Sequence, residues 1–187
     1  MSVPGIGQSG ASPVPHADSL GVIISLPAAL AAEISARRAV YQGPDAAVVP
    51  PHITLVSGRT TDTWEKAAEH VRSVAATAAP FVISLRGTGT FEPVSPVVYL
   101  NVARGGAECT ELHEQLLAGP LEHLLEFDFL PHLTVAHDLD EPAMTLAKSE
   151  MATFNADFEV GSIGLFDHLG GGWELREELS LGGGKPA

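Results

Sequence analysis

A histidine and a threonine two residues apart occur twice in this chain, in Pro51-His52-Ile53-Thr54-Leu55 and in Pro131-His132-Leu133-Thr134-Val135. Both phrases have the apolar and β-branched composition of a half-buried strand. Because strand side chains alternate faces, each copy would set an imidazole and a hydroxyl on one face, roughly 7 Å apart, with two apolar anchors behind. Two such pairs suit displacement at a phosphodiester, where a base takes the proton of the attacking oxygen and an acid protonates the leaving one. With an ordinary pKa of about 6.5, one imidazole can be neutral while the other is protonated. Threonine hydroxyls can donate to the phosphoryl oxygens on which charge accumulates. The scheme needs neither metal nor cofactor, and none is expected.

The elements that would position these groups repeat a plan. Gly21–Leu26 is a short apolar run stopped by Pro27, which opens a helix reaching about Tyr41. The first motif continues as a strand to Ser57, and Thr61-Asp62 then cap an amphipathic helix to Ala78. Phe81–Phe91 follows as a strand with a glycine-rich end. From Pro96 the same order recurs: a strand to Val102, a helix from Gly105 to Gly119, the second motif, a helix from Pro142 to Phe154, then a strand Phe158–Phe166 and a hairpin partner Trp173–Leu179. The motif histidines lie 80 residues apart, each followed by a helix and a strand. Such a duplication predicts two α+β lobes related by a pseudo-twofold axis, with the motif strands face to face across a cleft. The expected divisions are an arm over 1–19, one bilobal domain over 20–181 with lobes 20–95 and 96–181 exchanging strands, and a tail over 182–187.

The remaining histidines carry less. His16 falls in the arm, His70 beside an apolar helical stripe, and His113 and His123 in helix-like sequence without ligand partners, so solvated or structural roles are expected for all four. His132, His137, Asp138 and Asp140 cluster in sequence, and zinc accepts such ligands. Strand parity argues against that site, since His132 and His137 point to opposite faces of a regular strand.

Lysine and arginine number 10 against 23 acids, a formal net charge of −13, which opposes binding to long nucleic acid but admits a small phosphate ester. Arg59, Arg86 and Arg104 are the scattered cations for it. The lone cysteine, Cys109, forms no internal disulfide and fits a reducing, cytoplasmic setting. Neither a secretory leader nor an apolar run of membrane-spanning length is evident, and a monomer without membrane partners is expected.

The doubled His-x-Thr phrase, together with the Phe-x-x-x-Leu-x-Gly-x-Gly-x-Phe pattern of Phe81–Phe91, resembles the 2H phosphoesterase superfamily and within it the 2′-5′ RNA ligase-like and cyclic phosphodiesterase proteins. The resemblance extends from Gly21 to Leu179. It implies the bilobal 2H fold, with antiparallel sheets facing a central cleft, His52 and His132 as an acid–base pair, and Thr54 and Thr134 as phosphoryl ligands. Arg59, Arg86 and His137 are the accompanying substrate-binding candidates, His137 standing where relatives often carry a basic residue. The implied activity is metal-independent hydrolysis of a 2′,3′-cyclic phosphate, or of a related cyclic or 2′-5′ linked nucleotide or RNA end. The alternatives are a non-catalytic module binding a nucleotide or RNA end in the same cleft, and a phosphoesterase acting on a non-nucleotide ester.

Overall fold

The computed structural model describes residues 19–42, 49–125, 128–168 and 172–183. In β1 (Ser19–Ser25) the side chains of Leu20, Val22 and Ile24 alternate into the core, and after Pro27 the chain enters α1 (Ala28–Gln42). The first motif opens β2 (His52–Thr60). Thr63 caps α2 (Trp64–Thr77), its hydroxyl accepting from the Lys66 amide, one residue beyond the expected Thr61-Asp62 cap. Next come β3 (Phe81–Thr90), β4 (Val97–Arg104), α3 (Gly106–Leu117), β5 (Leu121–His123) and the second motif strand, β6 (His132–His137). Asp140 caps α4 (Glu141–Met151), and β7 (Asn155–Val160), β8 (Ser162–Asp167) and β9 (Glu174–Ser180) complete the described chain.

Every described strand pairing is antiparallel, in the order β7-β3-β4-β6-β2-β1-β8-β9, with β5 pairing against β2. Only Gly161 separates β7, at one edge, from β8, next to the other edge. One residue spans at most about 3.6 Å, so the sheet has to curl until its margins approach. The middle of the sheet is its weakest joint: among the described residues β2 and β6 share a single ladder pair, Ile53 with Leu133. On either side of that bridge the fold is an α+β arrangement of two antiparallel halves, β7-β3-β4-β6 and β2-β1-β8-β9.

Chain halves and sheet halves do not coincide. The early strand β3 pairs with β4 and β7, and the late pair β8–β9 attaches to β1. Helices α1 and α4 pack together against β6, while α2 and α3 pack together, α3 also lying against β2. One hydrophobic core joins them, with Leu55, Val56, Leu100, Leu133 and Val135 all fully buried.

Several local readings change. The motif strands, expected to face one another across a cleft, are neighbours joined edge to edge. The single strand read over Phe158–Phe166 breaks at Gly161 into β7 and β8, which join opposite halves of the sheet. His123 lies in β5 rather than a helix: Leu-Glu-His favours helix locally, but pairing with Gly58–Thr60 prevails. Gly58 permits that pairing, because a Cβ there would lie 1.8 Å from the Glu122 carbonyl oxygen. In the segment read as a tail, Gly182 and Gly183 donate backbone hydrogen bonds to Ala75 and Ala78 at the end of α2. The expected arm, His16 included, lies outside the described residues save for Ser19, as do 184–187.

Candidate active site

Alternation in β2 turns Ile53 and Leu55 into the core and leaves His52 and Thr54 half-buried on the other face; Leu133, Val135, His132 and Thr134 repeat this in β6. The Ile53–Leu133 bridge fixes the antiparallel register. One residue either way, it sets His52 beside Thr134 and Thr54 beside His132, each imidazole next to the other motif's hydroxyl.

Both rings are held in the same way. The Nδ1 of His52 lies 2.8 Å from the Pro50 carbonyl and that of His132 lies 2.7 Å from the Leu130 carbonyl. A carbonyl only accepts, so Nδ1 carries the proton in both rings, and each Nε2 is left to exchange a proton with whatever occupies the open face. Burial pushes the His52 imidazole below its ordinary pKa; the bond to Pro50 opposes this, and the nearby Arg38 and His132 add to the lowering. His132 is lowered by burial too, opposed by its bond to Leu130. Its surroundings are aromatic, with the Phe91 ring edge-on at 5.0 Å and the Tyr99 ring at 5.2 Å. The Gly-x-Gly of β3 makes room for this group: a Cβ on Gly89 would lie 2.5 Å from the Tyr99 ring.

The two motifs also share a bulge. Against β1, Val22 pairs with Val56 and Ile23 with Thr54, which leaves Leu55 without a partner. Against β4, Val98 pairs with Ala136 and Tyr99 with Thr134, which leaves Val135 without one. Leu55 and Val135 occupy the same motif position, and in each copy the bulge buries two consecutive residues, Leu55-Val56 and Val135-Ala136. Parity is thereby reset. His137 returns to the open face with His132 and Thr134, contrary to the regular-strand expectation that separated them. Its Nδ1 lies 2.9 Å from an Asp138 carboxylate oxygen, and its backbone carbonyl accepts from Gln42. Among the described residues no three His, Cys, Asp or Glu side chains gather closely enough to hold a metal ion.

The candidate arginines are more dispersed. Arg59 shares the open face but lies seven residues beyond His52, roughly 23 Å along the strand, and pairs with Glu122 at 2.7 Å. The Arg86 guanidinium is engaged by both Asp157 oxygens and by the Leu85 and Ala156 carbonyls. Arg104 pairs with Ser84 at the end of β4 and adds to the charge around Asp157. His70 bonds the Gln115 carbonyl and His113 the Leu55 carbonyl, both structural placements. Cys109 is fully buried, its thiol pushed up to about 12 by burial.

Sequence reading passed over Arg38. It lies on the inner stripe of α1 between Ile34 and Tyr41, only 8% exposed, and donates to the Val49 carbonyl at 3.0 Å and to the Thr134 carbonyl. Burial lowers its guanidinium to about 10. The available signal was a charge at helical spacing within an apolar stripe, a position a solvated arginine avoids.

A curled antiparallel sheet presenting two His-x-Thr strands side by side defines the two-histidine phosphoesterase class. The chain belongs to the 2′-5′ RNA ligase superfamily, whose family pattern matches residues 26–172. A protein of Oceanobacillus iheyensis that carries a phosphoesterase name is 31% identical over 144 residues, covering 74% of this chain and 84% of its own. A Bacillus thuringiensis protein named in the same way is 32% identical over 146 residues, covering 75% and 84%. Among solved structures, E. coli LigT complexed with 3′-AMP superposes with a TM-score of 0.64 at 22% identity, over 88% of this chain and 98% of that one. TT0787 of Thermus thermophilus superposes with a TM-score of 0.61 at 20% identity, over the same shares. Family membership supports a phosphodiesterase-type activity. No described helix is long and apolar enough to cross a membrane.

Proposed function

We propose that this protein is a metal-independent phosphodiesterase that opens a 2′,3′-cyclic phosphate, or a related cyclic or 2′-5′ linked nucleotide or RNA end. The observation that carries the reading is the matched anchoring of His52 and His132, each Nδ1–H spent on the carbonyl two residues back and each Nε2 open. One imidazole, neutral, takes the proton of the attacking water; the other, protonated, gives its proton to the departing ribose oxygen. The roles exchange in the reverse, ligating direction. Thr54 and Thr134 donate to the non-bridging oxygens as charge builds on them. His137, on the same face, meets a neighbouring part of the substrate. The similar fold of LigT, solved with 3′-AMP, with NADP+ and with ATP, favours a nucleotide-sized ligand, as does the net charge of −13.

The test is hydrolysis of 2′,3′-cyclic nucleotides with and without EDTA by the wild type, His52→Ala, His132→Ala and the double variant. Turnover indifferent to EDTA and reduced at least about a hundredfold in each single variant is expected. Nucleotide binding without turnover by the wild type would instead favour a binding module, and equal turnover of simple diesters lacking a base would favour a non-nucleotide substrate.

A further inference from the structure

Among the described residues the two halves of the sheet meet at one ladder pair, so something besides the ladder has to hold the motif strands at a fixed separation. The bracing is crosswise. Helix α1 leads into the first motif, yet its Arg38 reaches the Thr134 carbonyl of the second. Helix α3 precedes the second motif, yet its His113 bonds the carbonyl of Leu55, the bulged residue of the first, at 2.7 Å. Arg38 does more than its counterpart, because its other terminal nitrogen holds the Val49 carbonyl, three residues before His52. A single buried guanidinium thereby ties the approach to one histidine to the backbone of the other motif, one residue beyond the Ile53–Leu133 bridge. The planar fork of an arginine serves two divergent carbonyls at once, which an ammonium does less well.

We propose that Arg38 is a positioning residue for the reaction, a clamp that fixes the spacing of His52 and His132 across the joint between the sheet halves without touching substrate. The clamp rests on the acid–base reading above. It predicts that loosening Arg38 separates the imidazoles by a fraction of an ångström to an ångström, enough to damage a two-sided proton transfer while substrate affinity survives. Arg38 and His132 are the charged or titratable groups that act on His52, so removing the guanidinium also changes how His52 titrates.

The experiment compares Arg38→Met and Arg38→Lys with the wild type in three readouts: kcat and KM on a 2′,3′-cyclic nucleotide, histidine ring resonances followed by NMR through a pH titration, and thermal unfolding. For Arg38→Met the expected result is a kcat loss of about 10- to 100-fold with KM within about threefold, and a His52 titration displaced toward higher pH. Arg38→Lys keeps the charge but not the fork, so it should recover the His52 titration and only part of kcat; it carries the test alone if Arg38→Met does not fold. A lower melting temperature with unchanged kcat and unchanged histidine titration would reduce Arg38 to an ordinary structural residue and overturn the clamp. A wild type inactive on every cyclic nucleotide, combined with His52 and His132 ring resonances displaced in the charge-keeping Arg38→Lys, would overturn the proposed function and leave Arg38 as the group that sets the spacing of the two rings.

Discussion

Ile53 of the first motif pairs with Leu133 of the second, and this is the one described ladder contact between the two halves of the sheet. Both side chains are fully buried, so the bridge is supported from the core side by packing and from the backbone side by Arg38. Leu133→Ala should cost about 2–5 kcal/mol, as expected for a core leucine whose cavity does not collapse. Because the residue sits between His132 and Thr134, turnover of the folded variant should fall as well. Urea unfolding with activity measured on the same preparation checks both; a loss below about 1 kcal/mol would mean that the joint repacks freely.

Both motif histidines are pushed below the ordinary imidazole pKa, chiefly by burial. In the free protein the pair with one ring protonated and one neutral is therefore populated on the acid side of about 6.5, and kcat/KM should decline above that pH as the second ring deprotonates. A bound phosphate ester favours the protonated imidazole, so the basic limb of kcat should lie at higher pH than that of kcat/KM. Steady-state profiles from pH 5 to 9 test the order of the two limbs. A kcat/KM maximum above pH 7 would contradict the dominance of burial.

Gly89 faces the ring of Tyr99, which in turn contacts His132. A methyl group at 2.5 Å from that ring cannot be accommodated in place, so Gly89→Ala should displace Tyr99 and leave His132 without one of its two aromatic neighbours. The expected outcome is a folded protein with shifted His132 ring resonances and kcat reduced several-fold. The double variant Gly89→Ala/Tyr99→Leu should restore part of the loss by making room.

How far these relationships were legible differs by kind. The pairing of imidazole and hydroxyl on one strand face follows from period two alone, and His52, Thr54, His132 and Thr134 obey it. The bulges were less visible, although each leaves a trace: Leu55-Val56 and Val135-Ala136 are consecutive apolar residues in strands that otherwise alternate. Reading through them as regular strand placed His137 on the wrong face. Arg38 and β5 depend on residues 96 and 63 positions away, respectively, the separations of Arg38 from Thr134 and of Glu122 from Arg59. Local propensity carries no record of such partners, and only the odd charge in the α1 stripe and the glycine at position 58 hint at them.

His113 and His123 meet edge to face behind the first motif, with ring centroids 5.3 Å apart and Phe129 lying flat on His113 at 3.9 Å. The Leu55 carbonyl accepts from His113, whereas the Nδ1 of His123 is buried without a completed hydrogen bond. Burial, with His113 adding to it and the nearby Leu55 carbonyl opposing it, lowers His123 to about 4. The sign of the consequence follows from proton counting. Unfolded, this ring titrates near 6.5 and takes up a proton that the folded ring refuses, so stability present at neutral pH is lost as pH falls through 6.5 toward 4. Between pH 7 and pH 5 the loss attributable to this one ring is about 2 kcal/mol. His123→Phe keeps the ring contacts and removes the proton, so urea unfolding at the two pH values should give a difference smaller by about that amount in the variant. His52 and His132 titrate in both proteins and cancel from the comparison. Equal acid sensitivity in the two would show that His123 reaches solvent and accepts its proton without opening the fold.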